Sequence, residues 1–207
     1  LFIASRLACK YSDERDPGVE SAFTKLAAVL PPPIAEHVQQ TVAAVACKPR
    51  NDTLARVLDV LATAWAQRRR VRIWYSHVNG QGTKEDSERL LDPYFLEPSA
   101  GGHSCYVIGW DGLTGEVRTF KVERIHDIEL SAEEFEVKAG WSPAEYLRAS
   151  WGIFHEAEVE VQVRFSPAVA CRVSESIWHP SQTLKDQPDG GLLFTCRVAG
   201  TVEITPW

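Results

Sequence analysis

The chain has 207 residues, of which 44% are hydrophobic and 24% charged, and its formal net charge is -6 at pH 7. This length is enough for one large domain or two small ones, and the composition is typical of soluble globular proteins. No stretch approaches the roughly 18 apolar residues of a membrane span. The negative charge argues against a protein that binds nucleic acid over its whole surface.

The ends of the chain and its cysteines limit the possibilities further. The sequence begins at Leu1, contains no methionine and stops at Trp207, within what is predicted to be a strand. We therefore expect a fragment. Five widely spaced cysteines without a Cys-x-x-Cys pair favour neither a zinc site nor a disulfide framework, which fits a reducing, cytoplasmic location. We expect no cofactor.

Residues 1–69 are predicted to form a helical segment for linking or dimerisation. Asp16-Pro17 is a helix start signal, Pro31–Pro33 separates two helices, and Asn51-Asp52-Thr53 can cap a third. Apolar residues then recur at helical spacing, which predicts a core or dimer-packing face. They are Leu54, Val57, Leu58, Leu61 and Trp65.

Residues 70–138 change to an alternating, two-residue period, which predicts five short strands. The first begins at Arg70, and Asn79-Gly80 marks a hairpin turn after it. The second runs from about residue 88 to 96, and Ser99–Gly102 form the next turn. The others are Cys105–Trp110, Glu116–Val122 and Ile125–Leu130. Short strands joined by tight turns favour a small, strongly bent barrel.

Residues 139–207 are predicted to form a small C-terminal α+β domain that is truncated. Pro143–Ala149 is a short helix, and Ala157–Phe165 alternates as a strand. Ser166-Pro167 can begin a helix, and Pro188–Gly191 form a turn before the strand Leu192–Val198.

Signatures of catalysis are absent from the sequence. There is no Gly-rich phosphate loop, no His-Glu-x-x-His and no Gly-x-Ser-x-Gly, and the six histidines are scattered. A nucleotide hydrolase would need a base or metal near the basic strands, and the nearest candidates, Glu123 and His126, have no visible orienting partner. We therefore expect that the chain is not an enzyme.

Basic and aromatic residues on the predicted strands are the strongest functional signal. Arg89, Tyr106, Arg118, Lys121 and Arg124 fall on or beside strands two to four. Arginine donates paired hydrogen bonds to phosphate, and aromatic rings stack on bases. The alternative is that these cations make salt bridges with nearby glutamates within the protein. The candidate partners are Glu85, Glu88, Glu116 and Glu123.

Four segments together resemble a WYL domain in order and spacing. They are Ile73–Tyr75, Arg89–Leu96, Tyr106–Trp110 and Val117–Ile125. The family's name-giving Trp-Tyr-Leu aligns to Cys105-Tyr106-Val107, so only its tyrosine is retained. Residues Glu175–Gln182 and Pro188–Gly191 are similar to the C-terminal extension that follows WYL domains, the WCX domain.

The resemblance implies the sensory region of a DeoR/YafY-type bacterial transcriptional regulator. Such proteins have an Sm-like or SH3-like barrel, usually act as dimers, and read operator DNA through an N-terminal winged helix-turn-helix, which would precede Leu1. The implied effector is single-stranded nucleic acid or a nucleotide. Residue by residue, the implied ligand contacts are Tyr75, Arg89, Tyr106, Arg118, Lys121 and Arg124. The alternative is a purely structural module for dimerisation and protein interaction.

Overall fold

The computed structural model describes residues 2–11, 13–78, 82–99 and 103–207. The chain divides into two compact units, Leu1–Glu136 and Val137–Trp207, called here the N-terminal and the C-terminal unit. Most of the predicted turns at Asn79-Gly80 and Ser99–Gly102 lies outside the described residues. None of the helices in the described ranges combines the length and apolar character that crossing a bilayer requires.

The N-terminal unit places four helices before five strands. The helices are α1 (Phe2–Tyr11), α2 (Pro17–Ala27), α3 (Pro32–Ala46) and α4 (Asp52–Gln67). The strands are β1 (Arg69–Val78), β2 (Lys84–Pro98), β3 (Cys105–Asp111), β4 (Glu116–Lys121) and β5 (Ile125–Glu134), with a 3-10 turn, Val122–Arg124, between the last two.

Two predicted helix starts are confirmed by their capping hydrogen bonds. The Asp16 carboxylate accepts from the backbone N–H groups of Gly18 and Val19 at 2.7 and 3.2 Å, which caps α2. The Asn51 side chain accepts from the Leu54 N–H at 3.0 Å and caps α4. Helix caps of this kind can therefore be predicted from sequence alone, since the capping side chain and the N–H groups that it binds are only two or three residues apart.

Helix α4 covers the core of the sheet. Val57, Leu61 and Ala64 are fully buried and pack with sheet residues such as Val71 and Val107. The predicted amphipathic stripe is thus the core face of the helix. Trp65, at the end of the stripe, is partly exposed, and its ring meets Phe95 edge-on at 6.0 Å between centroids.

The five strands form one antiparallel sheet in the order β4-β3-β2-β1-β5. The Tyr75 ring of β1 nevertheless meets the Phe120 ring of β4 edge-on, with centroids 5.1 Å apart. In a flat sheet those strands, three steps apart, would lie about 14 Å from each other. The sheet therefore curls strongly around its core, while β4 and β5 stay its two edge strands in the described part of the chain.

The C-terminal unit is a small α+β fold with a three-stranded sheet. Its elements are α5 (Pro143–Leu147), β6 (Glu158–Phe165), α6 (Pro167–Ser174), β7 (Thr183–Asp186) and β8 (Leu192–Ala199), and the strand order is β6-β8-β7. Both longer strands and α6 match the prediction. The short strand β7 was not predicted, because four exposed residues carry no apolar alternation.

The core of the C-terminal unit also buries a histidine. His179 is 3% exposed and stacks on Trp151, with the two rings nearly parallel. Its Nδ1 lies 2.8 Å from the Ser181 hydroxyl, whereas its buried Nε2 has no hydrogen-bond partner in the described residues. Burial lowers the pKa of the His179 imidazole below its ordinary value, so the fold favours the neutral ring.

We expect this histidine to make the C-terminal unit acid-sensitive. Because its pKa is lower in the folded than in the unfolded state, the unfolded state binds more protons below about pH 6.5, the ordinary histidine value. Stability should fall as pH drops through that value toward the folded pKa. Urea unfolding followed between neutral and mildly acidic pH checks this, and His179→Gln should flatten the dependence. An unchanged slope in that variant would contradict the assignment.

Candidate nucleic-acid interface

The six residues implied as ligand contacts do not share one environment. Tyr75 is buried in the core against Phe120, and its hydroxyl lies 3.4 Å from the Lys121 backbone N–H. Arg89 is also enclosed: its side chain is 13% exposed and donates from Nη1 to the fully buried carboxylate of Asp111 at 2.7 Å. These two positions hold the sheet together, and neither presents its polar group to solvent.

Three groups donate hydrogen bonds to the Asp111 carboxylate. Besides Arg89, the Leu113 backbone N–H and the Thr114 hydroxyl donate to its carboxylate at 3.0 and 3.1 Å. The carboxylate thus ties the β3–β4 turn to strand β2. Sequence reasoning considered only glutamates near in sequence as partners for the arginines, and it missed this aspartate.

Two arginines of β1, Arg70 and Arg72, called here the first basic cluster, form ion pairs within the protein. Arg70 binds Asp92 through two hydrogen bonds, at 2.6 and 3.2 Å, and contacts Glu133 at 2.6 Å. Arg72 pairs with Glu88 at 3.0 Å. These two arginines are therefore paired within the protein, and Glu88 is one of the glutamates considered as partners for the strand cations.

The second basic cluster, which consists of Arg118, Lys121 and Arg124, differs from the first in its ion pairing. The side chains of Arg118, Lys121 and Arg124 make no ion pair within the described ranges. Arg118 and Arg124 are exposed, and Lys121 is half-buried. Arg124 lies in the 3-10 turn rather than on a strand. These cations keep their charge available to a ligand, in contrast to Arg70, Arg72 and Arg89.

Alternation along the strands divides the second cluster between two faces. Val107 and Phe120 face the core, and Arg118 shares the face of Phe120. Lys121 points to the opposite face, beside its cross-strand partner Tyr106. Because β4 is an edge strand of the sheet, side chains on both of its faces can approach one ligand that follows the edge.

The face opposite the core carries three aromatic residues, called here the aromatic face: Phe95, Tyr106 and Trp110. Tyr106 and Trp110 are two of the alternate residues of β3, with Ile108 between them. Phe95 is the cross-strand partner of Ile108. Each ring is half-buried, so each retains some exposed surface. Phe95 and Trp110 were not predicted as site residues.

A strand irregularity determines which face Phe95 occupies. The register between β2 and β3 shifts between Pro93 and Phe95, so one extra residue of β2 enters the pairing. Such a bulge reverses the alternation of all later side chains. Simple alternation from Leu91 would have placed Phe95 on the core face.

Glu97 is the acidic neighbour of the aromatic face. It is the cross-strand partner of Tyr106, and burial raises the pKa of its carboxyl above the ordinary value. Burial therefore favours the neutral form of the Glu97 carboxyl more than an exposed position would. No group of three or more metal-ligating side chains occurs in the portions of the chain that the structure describes.

Two domain families match this chain. Residues 56–130 match the WYL domain, and residues 157–207 match the WCX domain. The chain therefore contains a WYL domain, formed by most of α4 and most of the five-stranded sheet, followed by a WCX domain in the C-terminal unit. Neither match indicates a catalytic family. No curated protein matches the chain.

The solved structures that are similar to the chain include a proteasome accessory factor and a CRISPR Cas-related protein. Proteasome accessory factor B/C (PafBC) of Arthrobacter aurescens aligns over 88% of this chain with 20% sequence identity and a TM-score of 0.40. A CRISPR Cas-related protein aligns over 90% of this chain with 11% identity and a TM-score of 0.44. The chain spans 29% of the length of the first and 65% of the second.

Proposed function

We propose that this chain is the ligand-sensing and dimerisation region of a DNA-binding transcriptional regulator, and that its WYL domain binds single-stranded nucleic acid or a nucleotide. The carrying observation is that the side chains of Arg118, Lys121 and Arg124, at one edge of the sheet, make no ion pair with the described residues, and that Lys121 lies beside Tyr106 of the aromatic face. Cations at a sheet edge attract phosphates, and half-exposed rings stack on bases without sequence preference. The chain is a binding protein and not an enzyme.

The proposal also includes the barrel fold of the WYL domain, its action in a dimer and a cytoplasmic location. The curled sheet, with its contact between Tyr75 and Phe120, supports an Sm-like or SH3-like barrel that is open between β4 and β5. Ligand binding at the edge shifts the arrangement of a homodimer, which sets the spacing of two DNA-reading domains on the operator. The five cysteines are free thiols, in keeping with the cytoplasm.

The contacts to the effector are revised from those implied by the WYL resemblance. Tyr106, Arg118, Lys121 and Arg124 stay in the proposed site. Tyr75 and Arg89 act as structural residues, because the first packs in the core and the second neutralises buried Asp111. Trp110 joins the site as a second stacking surface on β3.

Titration with labelled single-stranded oligonucleotides at several salt concentrations tests the proposal. Each phosphate contact contributes about 0.7 to the slope of log affinity against log salt, so Arg118→Ala combined with Arg124→Ala should reduce the slope by about 1.4. Tyr106→Ala should weaken binding at every salt concentration, because stacking is not screened. Arg72→Ala, which removes an ion-paired arginine, serves as the control and should change the slope little.

A second candidate function is a dimerisation and protein-interaction module without a small ligand. The observation in its favour is the apolar surface of the first helices, where Ile3 is 72% and Val29 80% exposed. Phe2, Ile3 and Leu7 also line a groove of about 440 Å³ on α1. A dimer in light scattering, together with no binding of oligonucleotides or nucleotides at low salt, would favour this candidate over the sensor.

A further inference from the structure

A cavity other than the groove on α1 lies in the N-terminal unit, and its lining residue Cys105 adjoins Tyr106 of the aromatic face. It has a volume of about 540 Å³ and lies between the end of α1, the start of α4 and the start of β3; we call it the α1–β3 cleft. Its size falls within the range of small-molecule sites, about 300–1,000 Å³. The residues used below are Leu7, Leu54, Pro98, Asp13, Glu14 and Glu123, all of which line it.

The walls of the α1–β3 cleft combine apolar surface with negative charge. Leu7, Leu54 and Pro98 supply the apolar part, and the Tyr11 ring adds an aromatic wall. The acidic lining residues are Asp13, Glu14 and Glu123. The described lining also contains His103, which pairs with Asp13, but no lysine or arginine. An apolar cavity with acidic groups at its margin is complementary to a molecule that has a hydrophobic body and a positive charge.

The carboxylates are held in place by hydrogen bonds. Glu123 Oε1 accepts from the Cys105 backbone N–H at 2.8 Å, and Asp13 Oδ1 lies 2.7 Å from His103 Nδ1. Asn51 donates to Glu14 Oε1 at 3.0 Å. The contacts connect four segments that are far apart in sequence. A preorganised set of carboxylates loses little conformational entropy when a ligand binds.

The thiol of Cys105, in the lining of the cleft, reports on the local environment. Burial first, and then the negative charges of Glu123 and Glu97, raise its pKa to about 11. The thiol therefore stays neutral at physiological pH. Only the part of this shift that comes from Glu123 and Glu97 would favour a cation, because burial disfavours a charge of either sign.

We propose that the α1–β3 cleft binds a small organic cation, an amine or quaternary ammonium compound with an aromatic or aliphatic body. The body packs between Leu7, Leu54 and Pro98. The positive group lies near Glu123 and Asp13. The cleft adjoins the cationic edge of the sheet, since Glu123 lies between Lys121 and Arg124 in sequence, but the charge of its lining is opposite.

The test uses three ligands of similar shape and different charge: phenethylamine, phenethyl alcohol and phenylacetate. Isothermal titration calorimetry of the full chain should show binding of the amine with one-to-one stoichiometry, weaker binding of the alcohol and no binding of phenylacetate. Equal affinity for the amine and for phenylacetate would overturn the proposal, as would no binding of the amine at millimolar concentration.

Variants localise the binding. Glu123→Gln keeps an oxygen that can accept from the Cys105 N–H but removes the charge, and it should weaken amine binding by about five- to tenfold. Asp13→Asn provides a second, independent removal of charge. Glu116→Gln, at the exposed start of β4, is the matched control and should bind the amine like the parent chain.

Two further outcomes are decisive. Unchanged amine affinity in both Glu123→Gln and Asp13→Asn would show that the amine binds elsewhere and would overturn the proposal. The Arg118→Ala variant should bind the amine normally, because Arg118 does not line the cleft. The oligonucleotide and amine experiments can therefore fail independently of each other.

Discussion

Replacing Arg89 with methionine is expected to lower the free energy of unfolding of the N-terminal unit by about 3–5 kcal/mol, since it leaves a buried carboxylate without its countercharge. The carboxylate is that of Asp111, which is 0% exposed and receives the Arg89 guanidinium at 2.7 Å. Urea unfolding measures the loss, and hydrogen exchange of the β2 and β3 amides locates it in the sheet. Methionine keeps most of the apolar stem of arginine, so the change tests the charge.

Arg118→Met is the matched control for this prediction. It makes the same chemical change at an exposed side chain of the same sheet, which has no ion pair in the described residues. The free energy of unfolding should therefore change by no more than about 0.5 kcal/mol. Adding Asp111→Asn to Arg89→Met should recover part of the lost free energy of unfolding, because the buried negative charge is then removed as well. Equal stability of the two single variants would show that the buried pair is not structural, and would return Arg89 to the candidate ligand contacts.

Replacing Glu203 with alanine should destabilise the C-terminal unit by about 3 kcal/mol, because several charge-assisted hydrogen bonds are lost together. The Glu203 carboxylate accepts from three successive backbone N–H groups, those of Gly152, Ile153 and Phe154, at 2.9–3.0 Å. It thereby fixes the segment that follows β8, whose Ile204 lies in the core. Urea unfolding followed by tryptophan fluorescence is a suitable measurement, since the Trp151 and Trp207 rings are 4.9 Å apart.

Two other variants make the Glu203 prediction specific. Glu203→Gln retains one acceptor oxygen without the charge and should show an intermediate loss. Glu160→Ala, at an exposed position of β6, should stay within about 0.5 kcal/mol of the parent chain. A loss in Glu203→Ala no larger than that in Glu160→Ala would mean that this hydrogen-bond cluster does not stabilise the unit.

Arg89 and Arg118 together show why the candidate site could be predicted only in part. Both are arginines on strands of the WYL domain, and the sequence pattern treats them alike. The structure places a buried aspartate beside one and no acidic partner beside the other in the described residues. The discriminating residue, Asp111, is 22 positions from Arg89, beyond the reach of local periodicity.

The α1–β3 cleft gives a second example of the same limit. Its walls come from α1, α4, the end of β2 and the start of β3, including a contact between Asp13 and His103 across 90 positions. Nothing in the individual segments marks them as neighbours. Such a cavity exists only once the helices have packed on the sheet, so the sequence pattern predicted an anionic ligand and contained no sign of a cationic one.

By itself the sequence determined the helix caps, the core stripe of α4, the strands of the sheet and the resemblance to WYL and WCX domains. These features depend on hydrogen bonds and periodicities that span a few residues, or on motifs read along the chain. Tertiary structure alone decided which cations are neutralised, which face Phe95 occupies after the β2 bulge, and where the cleft forms. Those outcomes depend on contacts between distant segments, because charge pairing and burial are set by whatever the folded chain brings within a few ångströms.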